Sequence, residues 1–170
     1  MVDFEPFLGL DVASTTALFF VFLAIHVTAA IVAIVAGAMA MLVRKGAGRH
    51  SRAGRCYLVA VIVIFVSACV LAAFRWPADL PLVIAGGVSA AAAVYGFFFR
   101  RLHRPGDVPH IVAMGLSYIA LLTAFYVDNG PHLPVWNILP PITFWFVPSV
   151  VGVPLIVRAV WRRGHPRPTT

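Results

Sequence analysis

The residues of this 170-residue chain best suited to chemistry are six histidines, six acids and two cysteines, and several lie within or beside long apolar stretches. His26 stands inside one such stretch. Burying an ionisable group there is expensive, which makes it a functional candidate, although a neutral imidazole bonded to a carbonyl or hydroxyl of a neighbouring helix would be a structural alternative. His110, Met114, Ser117, Tyr118, Leu121, Phe125 and Asp128 recur at steps of three and four, the spacing of one helical face. Eighteen residues separate His26 from Arg44, about 27 Å along a helix axis, so His26 is expected at a height comparable to Asp128. A histidine–aspartate pair could carry a proton, orient a substrate or lock two helices together. His26 and Asp128 are therefore the candidate catalytic residues. With Tyr118, Tyr126 and His132 they could form a pocket for a small amphiphile, beneath interfacial aromatics that include Trp76, Trp136 and Trp145. Asp128 also opens the run Asp-Asn-Gly-Pro-His132, which reads as a helix stop and turn.

The other histidines, His50, His103, His110 and His165, stand near clusters of arginine. His50 and His110 on separate elements could ligate a heme, with arginines on its propionates. Neither His-x-x-His nor His-Glu-x-x-His occurs, so no metal site is assigned. Cys56 and Cys69 share one predicted helix about 20 Å apart and cannot pair with each other. No Gly-x-Gly-x-x-Gly, phosphate loop or Gly-x-Ser-x-Gly is present, which removes nucleotide and esterase-type chemistry.

The elements that must position these residues follow from composition. Hydrophobic residues make up 61% and charged residues 11%, and the mean hydropathy is +0.94. A soluble domain carries about 25% charged residues; this chain has too little polar surface to cover itself in water. Continuous apolar runs at about 13–43, 57–74, 82–99, 109–127 and 138–161 predict five transmembrane helices and exclude an alternating transmembrane barrel. The prolines of the last run, Pro140, Pro141, Pro148 and Pro154, predict a kinked helix. The first run is expected to remain as a span rather than a cleaved signal, because its basic flank follows it and Asp3, Glu5 and Asp11 precede it.

The net charge of +7 is distributed by side. Arg44, Lys45, Arg49, Arg52 and Arg55 lie between runs one and two, Arg100, Arg101 and Arg104 between three and four, and Arg158, Arg162, Arg163 and Arg167 at the end. Only Arg75 falls on the other side, together with five of the six acids. The positive-inside rule then predicts N-terminus out and C-terminus in, and places His26 in the outer half of the bilayer. The expected fold is an all-α polytopic membrane protein, one membrane domain over 1–170, in a prokaryotic cell (inner) membrane. Its expected partners are membrane lipids and a lipid-soluble small molecule rather than nucleic acid. Self-association into a homo-oligomer stays open.

The first loop carries a motif: Lys45-Gly46, His50, Gly54-Arg55 and Tyr57, preceded by His26 in the first helix and followed by His110 at the start of a later one. In these features the chain resembles the DUF2306 family of predicted prokaryotic membrane proteins, with Ser51 where arginine is more usual. The resemblance implies topology and no mechanism. The second basic loop, Arg101-Leu-His-Arg-Pro-Gly106, also echoes Arg49-His-Ser-Arg-Ala-Gly54, as a duplicated helix–loop–helix would.

Overall fold

A computed structural model describes residues 12–164 other than Gly46, Ala47, Arg104 and Val135. Asp3, Glu5, Asp11, Arg104, His165 and Arg167 thus lie outside the described residues. The regular structure of the described residues is helical: α1 (Val12–Leu42), α2 (Arg49–Ala73), α3 (Leu80–Arg101), α4 (Val108–Asn129) and α5 (Val147–Gly164). Three short 3-10 turns, Gly130–His132, Trp136–Ile138 and Pro141–Trp145, join α4 to α5. Five segments are long and apolar enough to cross a membrane, the fifth being Pro141–Arg163.

Two boundaries differ from the sequence reading, for identifiable reasons. α2 begins at Arg49 rather than near Tyr57, so His50, Arg52 and Arg55 are helical residues and not loop residues. Apolarity reports where a helix enters lipid; arginine is nevertheless a good helix former, and the backbone coils before the hydrocarbon begins. The last apolar run is not one kinked helix. Pro140 and Pro141 belong to the 3-10 region, Pro148 lies in the first turn of α5, and only Pro154 is inside that helix. Proline in a first turn removes no intrahelical donor, because those N–H groups have no partner within the helix anyway.

The chain divides into two compact units, Met1–Ile84 and Ala85–Thr170. In the first, α1 and α2 pair antiparallel: Phe19 meets Phe74 edge to face with centroids 5.7 Å apart, His26 meets Ser67, and Ala40 meets His50. Small side chains make the close approach. Ala29, Ala33 and Ala36 of α1 are buried, as are Ala53, Tyr57, Ala60, Val61 and Ile64 of α2. Without a hydrophobic driving force between helices in lipid, such van der Waals contact is what holds a pair together.

The second unit contains an α3–α4 pair and an α4–α5 pair. Ser89 on α3 is buried against Ser117 on α4, its Oγ donating to the Ser117 carbonyl at 2.9 Å. The α4–α5 contact is reciprocal. A Cβ at Gly115 would stand 2.5 Å from Ile156 Cδ1, and a Cβ at Gly152 would collide with the Ile119 side chain. Each helix thus presents a glycine notch and an isoleucine four residues on, and the antiparallel partner fills one with the other.

Candidate functional site

The motif of the first loop builds the α1–α2 hairpin. A helix leaves its last carbonyls without intrahelical donors. Here Lys45 Nζ donates to the carbonyls of Ala40 (3.0 Å) and Met41 (3.1 Å), and His50 Nδ1 donates to Ala40 O at 2.9 Å. Lysine also suits the negative end of the α1 dipole. Gly48, just before α2, has φ of 104°, a left-handed conformation that glycine adopts without a Cβ penalty. Tyr57, two helical turns into α2, is 1% exposed. Lys45, His50 and Tyr57 therefore have visible structural work.

The second hairpin repeats the histidine contact with different neighbours. His110, in the first turn of α4, donates from Nδ1 to the carbonyl of Gly96 on α3 at 2.7 Å. Gly96 is buried, and a Cβ there would lie 3.1 Å from Ala113 Cβ, so its lack of a side chain permits this approach. The histidine equivalent to His50 in placement is thus His110. His103, which the loop echo would pair with His50, instead occupies an exposed left-handed position with φ of 53°. In both His50 and His110 a carbonyl fixes the proton on Nδ1, so Nε2 is the basic nitrogen of the neutral ring.

His26 is half-buried within α1, its Nδ1 3.0 Å from Ser67 Oγ. The single Ser67 hydroxyl proton points back along its own helix, to Val63 O at 2.7 Å with Ile64 O at 3.0 Å. His26 must then be the donor to Ser67. The result is a relay from an imidazole through a hydroxyl to a backbone carbonyl, at a depth where each unmet polar group would be costly.

The α4 stripe divides along its length. His110, Met114, Ser117 and Leu121 belong to the α3-facing or buried part; Tyr118 and Phe125 are half-buried, and Asp128 is exposed. Tyr118 lies about 15 Å along the axis from Asp128. Asp128 Oδ2 accepts from Asn129 Nδ2 at 3.4 Å, while Asn129 also donates to Phe125 O at 3.1 Å, contacts proper to a helix end. Tyr126 packs on Trp136 with centroids 5.3 Å apart, and His132 is exposed on the first 3-10 turn. Tyr126, Asp128 and His132 are thus gathered at one end of the second unit. His26 and His50 belong to the first unit, and Tyr118, His110 and Asp128 to the second.

Two features of the structure were not assigned as sites from the sequence. Asp107, the one acid on the basic side, accepts from Arg100 Nη1 at 2.6 Å and Arg163 Nη1 at 2.8 Å, linking the ends of α3 and α5 at the foot of α4. The second is a groove of about 850 Å³ along the first hairpin, walled by Ile25, Val32, Val59 and Val63, with Ala29 and Ala60 beneath and Arg52 and Arg55 at one end. Its α2 side, Arg52, Arg55, Cys56, Val59 and Val63, has helical spacing, but that pattern is visible only once α2 is known to start at Arg49. Both cysteines are exposed and unpaired. Among the described residues no three His, Cys, Asp or Glu side chains gather as a metal site would require.

Comparison with protein-family models, curated proteins and solved structures finds no match to this chain.

Proposed function

We propose that this is a multi-pass protein of a prokaryotic cell (inner) membrane, N-terminus out and C-terminus in, that binds a small amphiphilic or lipid-soluble ligand in its outer half. His26 would be its central polar contact. The observation that carries this reading is the His26–Ser67 relay: an ionisable ring held in one orientation inside an apolar span. Tyr118, Tyr126, Asp128 and His132, all within Ala85–Thr170, are the proposed ligand-binding residues of the second unit. Acid–base chemistry on a lipid-soluble substrate, by His26 in the first unit or Asp128 in the second, is the enzymatic form of the same proposal. The basic asymmetry and the DUF2306-like first loop support the topology.

Native mass spectrometry of the full chain, released gently from detergent, tests it. A small neutral adduct should accompany the wild type, persist in His26→Gln and vanish in His26→Leu. Adducts indifferent to His26, or none in the wild type, would discard the pocket.

Heme with His50 or His110 as a ligand is a second reading, favoured because each ring uses Nδ1 on a backbone carbonyl, the arrangement that orients Nε2 as a ligand. Protein purified from cells fed a heme precursor would then show a Soret band that falls in His50→Ala or in His110→Ala. A colourless, folded preparation removes this reading.

A further inference from the structure

The groove of the first hairpin is a separate feature, independent of any ligand at His26. Its shape follows from side-chain size. Ala29 and Ala60 are 9% and 5% exposed and form a low floor, while Ile25 and Val59, 43% and 62% exposed, stand up as walls. The trough is apolar for most of its length and open along one side. Thr28 adds a hydroxyl to the lining, but the charge is confined to one end, where Arg52 and Arg55 share a face of α2 one turn apart. From Arg52 to the level of Ile25, the neighbour of His26 opposite Ser67, α2 rises about 24 Å, against a hydrocarbon core about 30 Å thick. The groove therefore spans at least the depth of one leaflet, with its charge at the interface.

Among the described residues those charges lack the acidic counterions that other arginines have. Arg75 pairs with Asp79, and Arg100 and Arg163 with Asp107. Among the described residues neither Arg52 nor Arg55 has an acidic partner. Two guanidinium groups in reach of one phosphate make short charge-assisted bonds with fixed geometry. A largely apolar trough at least one leaflet deep, ending in two arginines, complements an acyl chain joined to an anionic phosphate. A phosphate ion alone would leave the trough unfilled, and a zwitterionic head would bring its own cation to the arginines.

We infer that the α1–α2 groove seats one acyl chain of an anionic phospholipid of the leaflet facing the basic loops, with the lipid phosphate on Arg52 and Arg55. The test uses the full-length protein in nanodiscs containing equal phosphatidylglycerol and phosphatidylcholine, with retained lipid read by native mass spectrometry. The wild type should keep one phosphatidylglycerol in preference to phosphatidylcholine. Arg52→Gln with Arg55→Gln should lower that preference roughly thirtyfold, given the attraction of each basic residue to an anionic surface. Arg44→Gln with Arg49→Gln removes the same charge from the same region and should leave it unchanged. Val59→Trp, or Ile25→Trp from the opposite wall, should expel the lipid with both arginines intact. Equal loss in the two arginine pairs would reduce the effect to general surface charge and overturn the site. Lipid retained in both tryptophan variants, or displaced from the wild type by inorganic phosphate, would overturn the acyl seat.

Discussion

A histidine and a serine in facing apolar helices are costly apart and favourable together, and among the described residues no buried side-chain nitrogen or oxygen lacks a hydrogen-bond partner. The His26–Ser67 bond should therefore show as coupling. In a cycle of His26→Ala, Ser67→Ala and the double variant, the interaction energy should be about 0.6–1.7 kcal/mol, the range for hydrogen bonds between membrane helices. Reversible unfolding in mixed micelles measures it, and strict additivity would show that the two side chains do not act as a pair. Asp107 is expected to behave differently. Its arginine partners are about half exposed, so each bond is worth about 1 kcal/mol or less and is screened by salt. Asp107→Asn should destabilise the protein modestly in dilute buffer, with the difference from wild type shrinking at ~1 M salt. A large loss that ignores salt would mean a desolvated role for this carboxylate.

At the level of elements, the α4–α5 pair depends on two notches and two knobs in register. Enlarging one notch forces the opposing isoleucine aside. Gly115→Val should cost about 1–3 kcal/mol through overpacking, read as an earlier unfolding midpoint. Ile156→Val, which shortens the Cδ1 that meets Gly115, should recover part of what Gly115→Ala loses. If the two changes simply add, the interlock does not set the helix spacing. The α1–α2 pair uses another device, an alanine seam closed at its end by Lys45 and His50 on the Ala40 carbonyl. His50→Ala should accordingly speed amide hydrogen exchange in the last turn of α1 without disturbing the Phe19–Phe74 end.

For the whole molecule, the prediction concerns orientation. Twelve of thirteen basic residues fall on one side of the five predicted spans. A reporter fused after Thr170 should be active only in its cytoplasmic form, because basic loops resist translocation. A reporter on the far side would exchange the leaflets assigned to the His26 pocket and to the phospholipid groove. It would leave the described contacts within each unit unchanged.

The number and approximate place of the spans were legible in the sequence, because crossing about 30 Å of hydrocarbon requires a long uninterrupted apolar run and each of the five announces itself locally. So was the interest of His26, since one ionisable residue in such a run is anomalous wherever its neighbours lie. Hydropathy could not locate the start of α2, because it registers depth in lipid rather than backbone conformation, and an arginine-rich turn can be helical outside the bilayer. Nor could it reveal the partners. Ser67 for His26, Gly96 for His110, Ile156 for Gly115 and the two arginines on Asp107 stand 41, 14, 41 and 7 or 56 positions away. Those meetings depend on how one helix is rotated and slid against another. That choice is made by the fit of glycine notches, alanine seams and a few hydrogen bonds between segments, and it is decided only when the helices pack.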